Sequence, residues 1–454
     1  MSSFRGLLGT ETTSLVPPEP AHAVFASFGS GLALIFALLV AAGACFGCGA
    51  KTGVDVPDAG PEEPEPDAGP PPVVSRCIEV PPGAGVVRAD FTAPVSLAVV
   101  DVFFLIDATA SMVDEIDNVR ERLADIVVPG TRAAIPDAAF GLAFVGEFPV
   151  EPHGPPSVRP YELRSVITDD VTQVEAQLES IPEWGNFDDA EAQVEALYQV
   201  ATGAGLAPWI DPSFGCSRGG IGGVCFRDDS LPVVVLITDA PMHNGPPRTA
   251  PIEPYEFSGP HSYLETVAAL NSAGIFVIGL GARDPGRLQP MAHLRALAQD
   301  TGAVADGRSM AFDIGSRGDG VGEGIVDAVR TLAERLPLDV DALVQDVPGD
   351  AYDARLLVRA VRPLRAEPAS GVRELAEDSF LGVTPGTQVT FQLEIDPSAI
   401  APSESTRRVP ARILFRAFGR SRLGSQDVVI VLGGVDGGGC DEPDEEERDG
   451  TIES

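Results

Sequence analysis

The segment that most constrains the fold starts with an apolar run at 97–106, which opens into Asp107-Ala108-Thr109-Ala110-Ser111-Met112 and is followed by a helical pattern at 113–128. The run reads as a buried strand, and the pattern behind it as a helix packed on the same sheet. The turn between them carries a carboxylate and two hydroxyls at alternate positions, so three oxygen-bearing side chains converge where the strand ends. Hard divalent cations such as Mg²⁺ take oxygen ligands of this kind and keep positions for water or for a carboxylate from another molecule. The plainer reading of Asp107 and Thr109 is a helix cap, since both side chains accept backbone N–H groups at helix starts.

The alternation continues along the chain. Strands are expected near 140–145 and 161–167, helices at 171–180 and 188–201, a strand at 232–238, a helix at 262–272, a strand at 275–280, and helices near 287–300 and 321–335. Such alternation gives an α/β domain with a doubly wound, mostly parallel sheet covered on both faces. From Leu338 the texture changes to short strands between Gly and Pro turns, at 354–361, 388–395, 411–417 and 427–432, which fit a small antiparallel β-sandwich. The chain thus divides into a leader region at 1–48, a linker at 49–76, a lead-in segment at 77–94, the α/β domain at 95–336, the sandwich at 337–433 and a tail at 434–454. The sandwich is expected to begin by pairing with the lead-in segment, which makes the α/β domain an insertion.

A second apolar run, 231–237, ends in Thr238-Asp239-Ala240 and delivers another carboxylate to the same end of the sheet, where ligand sites of open α/β sheets form. Between the two strands lies Gly185-Asn186-Phe187-Asp188-Asp189-Ala190-Glu191. In this order the three segments resemble the von Willebrand factor A family, whose first loop carries Asp-x-Ser-x-Ser and forms a metal-ion-dependent adhesion site. The middle segment is similar to the integrin β-subunit form of that domain. The resemblance spans about residues 95–335. It implies a central Mg²⁺, or Mn²⁺ or Ca²⁺, on Asp107, Thr109, Ser111, Glu191 and Asp239. It also implies flanking cations, Ca²⁺ among the candidates, near Asp114 and Glu115 and near Asn186 and Asp188. Ala190 stands where the integrin loop usually has Pro, and one flanking site lacks an evident last carboxylate. For Asp114 and Glu115 the plainer reading is favourable charge in a first helical turn. His243 reads as loop packing or a hydrogen bond, because no nearby Cys or His offers zinc-ligand spacing.

With 31 basic against 67 acidic residues the net charge is −36, which disfavours nucleic acid or an anionic membrane surface as partner and leaves cations and cationic surfaces. Residues 21–50 hold no Asp, Glu, Lys or Arg, and their apolar centre at 31–42 is too short for a span of about twenty residues, so it reads as an export signal. Ala42-Gly43-Ala44-Cys45 is close to a bacterial lipobox. Lipidation is therefore expected at Cys45, with Cys48 as competitor and an uncleaved anchor as the alternative. Residues 54–75, Pro-rich and acidic, read as an extended tether, and 433–454 as an acidic disordered tail. Six cysteines suit an exported protein: Cys216 and Cys225 bracket a Gly-rich loop and are expected to bond, while Cys77 and Cys440 flank the folded region as a second candidate pair.

The resulting expectation is a membrane-anchored protein of the cell envelope. It would be a metal-dependent adhesion or protein-binding protein that coordinates an acidic residue of a protein ligand through a divalent cation. The loop at 203–230, just before the strand delivering Asp239, is expected at the rim of the site, where it would read partner shape. The competing readings are an assembly scaffold whose metal only stabilises, and a metal-dependent hydrolase. The hydrolase reading lacks support: an Asp-x-Asp-x-Thr phosphatase loop needs an acid where Thr109 stands, no Gly-x-Gly-x-x-Gly follows the first strand, and no Ser–His–Asp set can be assigned. No enzymatic activity is expected.

Overall fold

A computed structural model describes residues 76–440 except 214, 217, 218, 250–252, 283–288, 317, 319, 350, 402 and 435–438, and the side chains of 123 and 124. The leader, its Cys45, nearly all of the linker and most of the tail lie outside the described residues. The chain runs β1 (Arg76–Val80), β2 (Val87–Pro94), β3 (Val99–Asp107), α1 (Val113–Arg122), α2 (Val128–Ala134), β4 (Asp137–Val145), β5 (Glu162–Thr168), α3 (Val171–Leu178), α4 (Gln193–Thr202), β6 (Leu231–Thr238) and α5 (Tyr263–Ala273). It continues with β7 (Phe276–Gly281), α6 (Met291–Asp300), β8 (Val304–Ala305), β9 (Arg308–Ser309), β10 (Ala311–Asp313), α7 (Val321–Arg335), β11 (Leu338–Asp346), β12 (Val358–Glu367), β13 (Glu374–Leu375), β14 (Ser379–Val383), β15 (Gln388–Ile395), β16 (Arg407–Ala417) and β17 (Ser421–Leu432).

One six-stranded sheet has the order β10-β7-β6-β3-β4-β5, parallel except for the edge strand β5, and β3 lies at its middle. Period-two alternation divides the side chains of β3 between two apolar layers: Val102, Phe104 and Ile106 join one core, Phe103 and Leu105 the other. All nine residues of β3 are buried, Asp101 and Asp107 among them. A strand covered on both faces is what a doubly wound fold requires, and this α/β domain has that form.

The second part is a β-sandwich of a six-stranded sheet, β1-β17-β16-β11-β14-β13, and a three-stranded sheet, β12-β15-β2. Phe391 of β15 bridges them, its ring 5.1 Å from Phe380 of β14 and 6.1 Å from Phe415 of β16. The segment before the α/β domain belongs to this sandwich, since β2 pairs antiparallel with β15 and β1 pairs parallel with β17. The α/β domain therefore enters after β2 and leaves before β11. Val95, Leu97, Leu336 and Leu338 at these junctions are buried, and one apolar cluster runs continuously through them. The hairpin joining β16 to β17 grips the sheet at the amino-terminal ends of its strands. Ser421 donates to the carbonyl of Ser230 at 2.8 Å, and Phe418 packs on Phe276.

The expected helix at 188–201 starts later, at Gln193, because the residues before it are stitched to three strand ends instead of coiling. The helix expected at 113–128 is interrupted by a π-helical turn, Leu123–Val127, before α2. Both disulfide pairs are formed, Cys216–Cys225 and Cys77–Cys440. Among the described residues no helix is long and apolar enough to cross a membrane.

Candidate metal centre

The candidate centre is assembled by strand ends. β3 and β6 are parallel neighbours with Ile106 opposite Ile237, so Asp107 and Thr238 emerge side by side. Thr238 Oγ donates to Asp107 Oδ2 at 2.6 Å, while Thr109 donates to Asp107 Oδ1 through both its backbone N–H, at 3.0 Å, and its hydroxyl, at 2.7 Å. Ser111 Oγ lies 3.2 Å from Thr109 Oγ and donates to Asp239 Oδ1 at 3.1 Å. The hydroxyl of Thr109 makes no helix-capping bond, so the capping reading does not describe it. Buried Met112 anchors the end of this turn, donating its N–H to the Thr109 carbonyl at 2.9 Å.

The middle loop is laced across the ends of three strands. Trp184 exchanges backbone bonds with the loop after β3, Ala192 donates to Gly146 after β4, and Glu191 pairs with the loop after β6 through Pro241 and His243. This lacing places the fully buried Glu191 carboxylate among the other acids. Asn186 donates to Glu191 Oε1 at 2.5 Å, and Oε2 has no hydrogen-bond partner. Burial first, and then the charges of Asp107, Glu147, Asp188 and Asp239, hold the Glu191 carboxyl well above the usual carboxylate range. Like charges confined without water are costly. A cation among them would lower that cost, and the donor set of carboxylates and hydroxyls is that of a hard ion. Asp107, Thr109, Ser111, Glu191 and Asp239 thus fit the implied Mg²⁺ in ligand type and convergence.

The flanking residues behave differently from one another. Asn186 and Asp188 adjoin the centre, Asn186 also donating to the Asp188 carbonyl at 2.9 Å. Asp114 is exposed on the first turn of α1, whereas Glu115 is buried against Gly318.

One expectation differs from the structure. The disulfide-closed part of the 203–230 loop is not at the rim of the centre: Arg227, just beyond Cys225, bonds Asp101, Asp137 and the Val100 carbonyl, all at the amino-terminal ends of β3 and β4, whereas Trp209 earlier in the same loop packs its ring 5.1 Å from Phe148 beyond the other end of β4. A loop feeding the start of β6 belongs at that end, and the metal centre at the other. His243 makes hydrogen bonds, one of the two expected readings. Its Nδ1 bonds the Glu253 carbonyl at 2.7 Å, and its Nε2 lies 3.0 Å from Asp188 Oδ2 and 3.5 Å from Glu147 Oε2. His153 Nδ1 approaches the same Asp188 oxygen at 2.7 Å. No local pattern points to Glu147 or His153, because Glu147 meets His243 and His153 meets Asp188 across long stretches of sequence, and only the return of the chain past β4 brings them together. Glu147, directly after β4, supplies a buried carboxylate beside Asp188, which the sequence alone did not place. Burial pushes its carboxyl up to about 8 against the pull of His243.

No family model and no curated protein matches the chain. Matching solved structures include a von Willebrand factor type A protein from Catenulispora acidiphila, 11% identical, covering 78% of this chain and 71% of that one, with TM-score 0.36. They also include the open form of the pilus adhesin SpaC from Lactobacillus rhamnosus GG, 12% identical, covering 77% of this chain and 46% of that one, with TM-score 0.35. A third is proximal thread matrix protein 1 of the mussel byssus, 13% identical, covering 56% and 51% respectively, with TM-score 0.32. The chain spans less than half the length of the pilus adhesin it matches.

Proposed function

We propose that this is an adhesion or protein-binding protein of the cell envelope, of the integrin β-like form and held at a membrane by a lipidated Cys45. It engages its partner through a divalent cation on Asp107, Thr109, Ser111, Glu191 and Asp239. The reading is carried above all by the convergence of two strand ends and one laced loop on a buried, partly unpartnered Glu191. Two of the five ligands are neutral hydroxyls, so an ion held there would remain electrophilic enough to accept a carboxylate from an acidic residue of a protein ligand. Mg²⁺ is the expected ion, with Mn²⁺ or Ca²⁺ able to replace it. The mechanism is coordination, and it needs no catalytic group.

Asp107→Ala tests this reading. Calorimetry should show loss of Mg²⁺ or Mn²⁺ binding, capture from envelope extract should lose its chelator sensitivity, and circular dichroism should stay near normal. Unchanged cation binding and capture would overturn the proposal. An assembly scaffold with a purely stabilising metal would instead show a chelator-dependent melting shift with capture unaffected.

A further inference from the structure

We propose that His153, Asp188, His243 and Glu147 form a second metal site, one that takes an imidazole-preferring ion of the zinc class. It shares only Asp188 with the residues assigned to hard cations above, and it stands or falls independently of the adhesion reading. Its ligand atoms from His153, Asp188 and His243 all lie within 4.8 Å of one another. Three donor separations are fixed: 2.7 Å from His153 Nδ1 to Asp188 Oδ2, 3.0 Å from His243 Nε2 to the same oxygen, and 3.5 Å from His243 Nε2 to Glu147 Oε2. A tetrahedron with zinc–ligand bonds of about 2.0–2.1 Å has edges of about 3.3–3.4 Å, so these separations bracket what the ion requires.

The surroundings hold the ligands in a binding-competent state. A carbonyl only accepts, so the 2.7 Å contact with Glu253 places a proton on His243 Nδ1. That leaves Nε2 as the atom facing the carboxylates, the arrangement in which an outer hydrogen bond orients a metal-bound imidazole. Glu147 is oriented likewise. Its Oε1 accepts from the Phe148 N–H at 2.5 Å and the Tyr255 hydroxyl at 2.6 Å, while its Oε2 has no hydrogen-bond partner. Asp188 Oδ1 is also buried without one. Glu147 is fully buried, and His153 and His243 are 5% and 2% exposed, so the unpartnered carboxylate oxygens meet imidazole where water is scarce. Tyr255 packs on both histidine rings, 4.3 Å from His243 and 5.1 Å from His153. The Asp188 side chain is 26% exposed and leaves a way in from solvent. Two imidazoles beside two carboxylates suit zinc, cobalt or nickel better than Ca²⁺ or Mg²⁺.

The test uses the full chain after chelation, titrated with Zn²⁺ and, separately, with Co²⁺. In Asp107→Ala, where the central site is removed, one Zn²⁺ per chain should still bind, and Co²⁺ should give visible d–d bands without a thiolate charge-transfer band. Adding His243→Gln or His153→Gln should weaken Zn²⁺ binding at least 100-fold. Tyr255→Phe keeps every ligand and the packing shape and should weaken it about 10-fold, as loss of an outer-shell bond does. If Asp107→Ala binds no Zn²⁺, or if Zn²⁺ affinity is the same with both histidines replaced, the site is not a metal site. His243 is then a buried imidazolium paired with Asp188 and Glu147.

Discussion

β3 carries two buried aspartates, and their surroundings differ. Asp101 accepts from Arg227 N–H at 2.6 Å, Arg227 Nε at 2.7 Å and Ser230 Oγ at 2.7 Å. That carboxylate is fully buried with its lone pairs satisfied, whereas Arg227 is partly exposed and also holds Asp137, so removing Asp101 strands chiefly the Arg227 N–H and the Ser230 hydroxyl. Asp101→Ala should therefore destabilise the fold by about 1–3 kcal/mol, measured by chemical denaturation, with cation binding unchanged. Asp107 instead takes hydroxyl donors and faces Glu191 and Asp239. Glu191→Gln should raise the melting temperature of the chelated protein, because a carboxyl held among like charges is replaced by a neutral amide that Asn186 can still bond, and it should weaken Mg²⁺ binding. A fall in the chelated melting temperature would show that Glu191 is compensated in some other way. Phe187 is 55% exposed on the laced loop. Its replacement by Ala should reduce partner capture while leaving the ion in place, if that ring forms part of the docking face.

At the scale of elements, the sequence showed the strands that end in chemistry and obscured what joins them. β3 and β6 were visible as apolar runs with an acid just beyond, and β15 was visible at its observed bounds, Gln388–Ile395. Local pattern sufficed there because burial on both faces leaves few other uses for such a run. The loop before α4 was misread as helix, since its backbone bonds go to residues 108, 146 and 241–243, and no local periodicity records such partners. The same reason hid Glu147 and His153. The Cys216–Cys225 pair was legible from spacing, but the end of the sheet on which it lies was not. Closing a loop with a sequence separation of 9 stabilises by roughly 2–3 kcal/mol in the chain-entropy model. Because that loop lies at the opposite end of β3, reducing it should lower stability while leaving cation affinity unchanged. Calorimetry before and after mild reduction checks this.

Across the whole molecule, the sandwich and the candidate metal centre occupy opposite ends of the parallel sheet. The nine residues of β3 separate them by about 26 Å. The sandwich is built from both sides of the α/β insertion, and β1 and β17 carry the two flanks of the described chain side by side. Cys77 and Cys440 join those flanks across a sequence separation of 363. Seen as a mechanical object, the body between the two sulfurs is a closed ring. Tension applied between the chain before β1 and the chain after β17 passes through the sulfur bridge and never reaches the loops of the candidate centre. Roughly 1,300 Å of contour, from 363 residues at about 3.6 Å each, is thereby withheld from extension. Pulling the molecule by its ends in a force spectrometer should give no unfolding steps from this region until reductant is added, after which that hidden length should appear. A load arriving through a bound partner, by contrast, reaches the sandwich along two strands of chain at once, because the inserted domain is hung from both β2 and β11.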